Sequence, residues 1–318
     1  MKILNLIQAF VKYPVETSRL VFFYIYYRLT LLGKSSNYVY IMSCYRAVFR
    51  RTPDSDGLNN FLPRLESQAM TRSDFYYLLI NSDEYSIKKM TKWKDPLTCL
   101  HQSRIEGIKH LPNAKIILDL GGAHSDSIEG ALLAMGYPHK PEKIIIVDIP
   151  PKTRFFKTNV GHLEKDNRWL NINGKKIKYL HQNLTNLDRI QKGSIDMIWC
   201  GQSVEHITQK EFKTLLKDIR KVLKSGGYFC FDTPNRLITQ IQSPDSLINP
   251  DHKYEYKPYE LRQLLISNKY KILKEIGLCP MPKTLKTKKF DYEEMINEDY
   301  VSDNLDISYF SLFIAQKI

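Results

Sequence analysis

Acids, glycines, amides and two histidines recur in this chain where short apolar runs stop. Asp119, Gly121 and Gly122 follow residues 116–118, Asp148 closes residues 143–147, Asn183 follows residues 176–182, and Gln202 and Ser203 follow residues 194–201. Glycines in a turn let the backbone bend sharply and approach a ligand with no Cβ between them. A carboxylate ending the second run can accept two hydrogen bonds from a ribose diol. An asparagine ending the third can meet an adenine edge. His206 stands beside Glu205, and His252 among Asp251, Tyr254 and Tyr256, in positions where an imidazole can exchange a proton near neutral pH. These residue types suit a nucleoside ligand with basic groups close by.

The elements needed to gather them are legible as alternation. Apolar, β-branched runs at 116–118, 143–148, 176–183, 194–199 and 228–232 read as strands covered on both faces. Between them, residues 127–135 have helical apolar spacing and stop at Gly136, so amide donors at a helix start are expected to face the glycine turn. Another helix is opened by the capping box Thr208 and Glu211 and closed by Gly226 and Gly227. Such alternation predicts a parallel sheet with helices on both faces, and in open sheets of this kind ligands bind beyond the carboxyl ends of the strands. After a helix starting near Pro258, runs at 270–278 and 307–315 have no helical period between them and predict an antiparallel edge.

The whole chain has 318 residues, 43% of them hydrophobic, and a formal charge of +13. That balance admits nucleic acid, an anionic membrane surface or an acidic substrate as partner. Five scattered cysteines with no CxxC pair argue against both a disulfide framework and a zinc site. No signal peptide is evident, and the apolar stretch at 20–32 is interrupted by Arg28 and too short to span a bilayer. Residues 1–34 carry five basic residues against one acid, interleaved with aromatics. This suits either an interfacial helix on an anionic leaflet or a helix docked on the next domain. Residues 35–92 predict a bundle of four short capped helices. Asp54 and Asp56 fit turn and capping roles there, not a metal site.

Two stretches carry family resemblances. Residues 45–58 (YRAVFRRTPDSDGL) with 81–85 (NSDEY) resemble a bacterial helical domain of unknown function that accompanies enzymes of surface-glycan assembly. Residues 117–122 (ILDLGG), 146–150 (IVDIP), 194–207 (SIDMIWCGQSVEHI), 220–236 (RKVLKSGGYFCFDTPNR) and 250–261 (PDHKYEYKPYEL) are similar, in order and spacing, to motifs of class I methyltransferases of the surface-polysaccharide type. The second resemblance spans roughly residues 98–318 and assigns residues 93–318 to one methyltransferase domain. It implies an α/β fold with a Rossmann-like, doubly wound, mostly parallel seven-stranded sheet and an antiparallel edge, preceded by a small all-helical domain. It also implies S-adenosylmethionine as cofactor, with Asp119, Gly121 and Gly122 around its methionine part, Asp148 on the ribose, Asn183 and Leu184 on the adenine, and Gln202 and Ser203 beside the sulfonium. The chain departs from the family pattern at Ala123-His124-Ser125, where further glycine is usual, and at Asn183, where an acid is usual.

Methyl transfer to a hydroxyl needs a base or a metal near the acceptor, and His206 and His252 are the expected catalytic residues. No metal site is expected. The expected function is O-methylation of a sugar in a cell-surface glycan or glycolipid precursor, in the cytoplasm or peripherally on the inner face of the cell membrane through residues 1–34. Two rivals are an RNA methyltransferase, for which the spread of the basic residues argues poorly, and a non-catalytic scaffold with a degraded cofactor loop.

Overall fold

Helix caps and buried apolar runs determine most of what is observed. The structure, a computed structural model, describes residues 34–49, 51–85, 96–154, 158–296 and 299–318, together with Leu20, Phe23, Tyr24 and Tyr27. The helix expected at 1–34, interfacial or docked, therefore lies largely outside the described residues. The chain divides into two units, Met1–Pro96 and Leu97–Ile318.

In the first unit, α1 (Ser36–Val48), α2 (Ser55–Glu66) and α3 (Arg72–Ile80) each begin at a side chain that accepts from a free backbone amide: Ser35, Asp54 and Thr71. Such a cap contributes about 1 kcal/mol. Phe75 is fully buried against Tyr40, Tyr45 and Phe61. Arg51 clamps Glu84 with two 2.9 Å hydrogen bonds and its guanidinium lies over the Tyr45 and Phe49 rings. The "RTPD" turn is thus built into this unit's packing. The fourth expected helix is described only at residues 83–85.

Among its described residues the second unit forms a nine-stranded sheet. After α4 (Pro96–Ile108), its elements are β1 (Ile116–Leu120), α5 (Ala131–Ala134), β2 (Lys143–Asp148), β3 (Trp169–Ile172), β4 (Lys175–His181), β5 (Ile195–Gly201), α6 (Gln209–Val222), β6 (Leu223–Pro234), α7 (Arg236–Gln242), α8 (Pro258–Ser267), β7 (Tyr270–Pro280), α9 (Pro282–Thr287), α10 (Tyr292–Met295), β8 (Val301–Ser302) and β9 (Ser308–Lys317). The strand order is β3-β4-β2-β1-β5-β6-β9-β7-β8. β4, β2, β1, β5 and β6 run parallel, and β9 and β7 add antiparallel, so all seven expected strands are present. The additions are β3 and β8, one at each edge. β3 pairs with β4 across Asn173-Gly174, both at positive φ, as a two-residue hairpin turn requires. Apolar side chains fill both faces of the sheet, Phe212, Leu215 and Ile219 of α6 on one and Ile117, Met197 and Trp199 on the other. No helix among the described residues is long and apolar enough to cross a membrane.

Two element boundaries differ from expectation. The helix expected over 127–135 contracts to α5, because the preceding amides are taken locally. His124 Nδ1 accepts from the amides of Asp126 and Ser127, Ser127 Oγ accepts from Glu129, and Gly130 turns at φ +87°. The amides at the start of α5 donate to Gly122 O at 2.7 Å and Asp119 Oδ2 at 3.3 Å. They face the glycine turn, as expected, and brace it through its own carbonyl and the Asp119 carboxylate. α6 has its capping box but ends at Val222, and Gly226 and Gly227 lie inside β6.

Candidate functional site

A cleft of about 450 Å³ opens at the carboxyl ends of the parallel strands, lined by Gly121, Asp148, Asn183, Leu184, Gln202, Ser203 and His206, with Arg154 and Asp251 at its wall. The expected Asp119, Gly122 and His252 stand behind that lining. Asp119 is 1% exposed, and burial pushes its carboxyl up to about 7. Its Oδ1 has no hydrogen-bond partner among the described residues. Gly122 exists for that carboxylate: a Cβ there would lie 2.1 to 2.4 Å from the carboxyl atoms. At Gly121, φ is +71° and a Cβ would meet Ser203 Oγ at 2.3 Å. The turn after β1 and the turn after β5 are therefore in contact, and only glycine permits it.

Asp148 ends β2 with Oδ2 accepting from Ala123 N at 3.0 Å and Oδ1 from Ile149 N at 2.7 Å. Each oxygen keeps a lone pair for a diol. Burial raises its pKa, and the amides of Ala123 and Ile149 and the Arg154 charge act against that rise. Arg154 was not expected. It lies 3.6 Å from Asp148 Oδ1 and binds Glu164 through two 2.7 Å hydrogen bonds, so its charge is shared and the cleft wall stays acidic. Asn183 folds its Oδ1 back to Thr185 N and Oγ1, which leaves its amide nitrogen as the group to meet a base. A donor fits an acceptor nitrogen of adenine.

The turn after β5 is held by a second unexpected pair. Asp232, fully buried at the end of β6, binds Arg104 of α4 at 2.5 Å and accepts from the Gln202 amide at 3.0 Å. Gln202 consequently sits at φ +50°, with a buried Nε2 that has no partner among the described residues. An orphaned amide on a cleft wall is costly unless something binds there.

Beyond Ser203 the turn Val204–His206 carries Glu205 and His206, and the loop before α8 brings His252 against them. The imidazole rings stand 4.9 Å apart at 85°. His252 Nδ1 lies 2.8 Å from Glu255 Oε1, and since a carboxylate only accepts, the N–H is on that nitrogen and Nε2 is the one turned away from Glu255. Burial and the neighbouring His252 lower the pKa of His206, so its neutral form predominates at neutral pH. Glu205 is buried, accepts from Thr233 Oγ1 at 2.9 Å, and is pushed by burial up to about 7. One ligating atom from each of Glu205, His206 and His252 lies within 4.8 Å of the others. Sequence spacing missed this trio, because two members are adjacent and the third is 46 positions away.

The orphaned Gln202 amide, the glycine contacts and the acidic wall suit a nucleoside bearing a cation. Residues 130–231 match the model of a family described as "Methyltransferase domain", and residues 30–88 match a "Domain of unknown function (DUF4214)". None of the curated proteins matches the chain. Solved structures with a similar fold include an S-adenosylmethionine-dependent methyltransferase from Thermotoga maritima (14% identity, 73% of this chain and 96% of that one, TM-score 0.47). Another comes from Archaeoglobus fulgidus (16%, 74% and 100%, 0.46), and an O-methyltransferase family protein from Burkholderia thailandensis is also similar (14%, 82% and 69%, 0.44).

Proposed function

We propose that this S-adenosylmethionine-dependent methyltransferase transfers its methyl group to a hydroxyl of a sugar, in a cell-surface glycan or its glycolipid precursor. The observation that carries the oxygen reading is the imidazole of His206 at the cleft, with the His252 ring packed 4.9 Å from it, since a protonated hydroxyl is a poor nucleophile and an uncharged amine would need no such help. The sugar is supported by the motif resemblance and by the helical domain at residues 30–88. When bound, the cofactor supplies a methyl made electrophilic by a sulfonium. In this reading Asp148 accepts from the ribose hydroxyls, the Asn183 amide and Leu184 meet the adenine, and Gln202 and Ser203 line the wall beside the sulfonium. The carboxylates of Asp148 and Asp251 favour a cationic ligand. Release of the acceptor proton falls to the histidine pair, and the remaining acceleration comes from positioning.

The test is transfer from a methyl-labelled donor to lipid-linked oligosaccharide, polysaccharide and RNA fractions in parallel. The proposal expects an alkali-stable methyl ether on a sugar carbon. Replacement of His206 by Ala should slow turnover by roughly 10²-fold or more with donor affinity retained. Label confined to RNA, or carried on nitrogen, would overturn it.

A further inference from the structure

Among the described residues, two buried acids of the site, Asp119 and Glu205, have no ion-paired cation, and of these only Glu205 stands against two imidazoles. Asp232 faces Arg104, Glu164 faces Arg154 and Glu255 faces Arg236. Among the described residues, Glu205 has the Thr233 hydroxyl and the two imidazoles in that place. A buried carboxylate without a countercharge is costly. The geometry points to a divalent transition-metal ion held by Glu205, His206 and His252 at the acceptor end of the cleft.

Three further observations support this. The ligating atoms converge within 4.8 Å of each other, and atoms around one such ion stand roughly 3–3.5 Å apart given bonds of about 2.1 Å, so closing on an ion requires an approach of little more than an ångström. His252 is presented as metal-bound imidazoles are, with its second nitrogen against a carboxylate. That carboxylate is itself fixed: Glu255 also accepts from Thr239 Oγ1 at 2.5 Å and Ile248 N at 2.9 Å. Finally, His206 and Asp251 line the cleft, so coordination positions not taken by protein open toward the acceptor. Two imidazoles and one carboxylate suit zinc, iron, cobalt, nickel or manganese better than calcium or magnesium.

The role of the ion rests on the hydroxyl-acceptor reading, whereas its binding does not. With the ion bound, His206 and His252 serve as ligands in place of acting as the base, and a sugar oxygen on the ion loses its proton more readily. The O–H bond breaks with the proton passing to water, the oxygen lone pair forms the O–CH₃ bond, and the S–CH₃ electrons stay on sulfur to leave S-adenosylhomocysteine. No oxidant or reductant takes part.

The full chain, stripped with a chelator and dialysed, would be titrated with Co²⁺ by visible absorption and with Zn²⁺ and Mn²⁺ by calorimetry. The inference expects one equivalent bound with the absorption of an imidazole-ligated site. Glu205→Gln and His252→Ala should each weaken binding at least 100-fold, and Glu255→Gln about 10- to 100-fold. His162→Ala, which is not one of the trio, should bind as wild type. Circular dichroism of each variant separates loss of the site from loss of the fold, and Glu255→Gln keeps the test open if a ligand variant unfolds. Stoichiometric binding unchanged in His252→Ala, or no binding to the wild type, would overturn the inference. Sugar methylation that persists in metal-free protein would sink the ion while leaving the proposed function intact, and a bound ion with label on nitrogen would do the reverse.

Discussion

At the scale of single residues, the turn after β1 works because two side chains are absent. A methyl at Gly122 would fall inside the Asp119 carboxyl. Gly122→Ala should therefore weaken S-adenosylmethionine binding at least tenfold by calorimetry; wild-type affinity would show that the turn does not hold the donor. Asp119 itself offers a pH prediction. Its folded pKa of about 7 stands above the ordinary 3.8 because of burial. The folded state thus binds the proton more tightly, and the associated stability is complete below about pH 4 and lost as pH rises through 7. Asp119→Asn should gain thermal midpoint over wild type by several degrees more at pH 8 than at pH 5. A gap independent of pH would place the cost of this buried acid elsewhere. Asp119 and Gly122 were singled out in the sequence as binding residues. Their position behind the lining was not legible, because it depends on which way the turn closes.

At the scale of elements, the Arg104–Asp232 pair joins α4 to the end of β6 and, through the Gln202 amide, sets the turn after β5. Arg104→Ala leaves a fully buried carboxylate uncompensated and should cost about 3–5 kcal/mol in denaturant unfolding, and adding Asp232→Asn should recover most of it. A cost near zero for the single variant would contradict the assignment. Nothing in sequence spacing marks this pair, whose members are 128 positions apart. The strands were legible where β-branched runs are long enough to be buried on both faces. β3 was missed although Asn173-Gly174 signals a hairpin, because Trp169–Ile172 is short and half-exposed. The helix over 127–135 was over-read because apolar spacing does not reveal that His124 competes for its first amides.

For the whole molecule, the charge of +13 fits several partners, and the cleft narrows them only where it is acidic. The two units have separate cores, one around Phe75 and the others around the sheet. Residues 97–318 alone should accordingly fold and bind S-adenosylmethionine within about threefold of the full chain; an aggregated or non-binding fragment would show that the helical unit completes the enzyme. The central claim is that the cleft at the carboxyl ends of β1, β2, β4 and β5 holds the methyl donor, with Asp148 on its ribose. Calorimetric titration of wild type and Asp148→Ala with S-adenosylmethionine and S-adenosylhomocysteine tests it most directly. The account predicts one site of roughly micromolar affinity, weakened at least tenfold in the variant, as expected for loss of charge-assisted hydrogen bonds. Equal affinity in the two proteins would place the donor outside this cleft and contradict it.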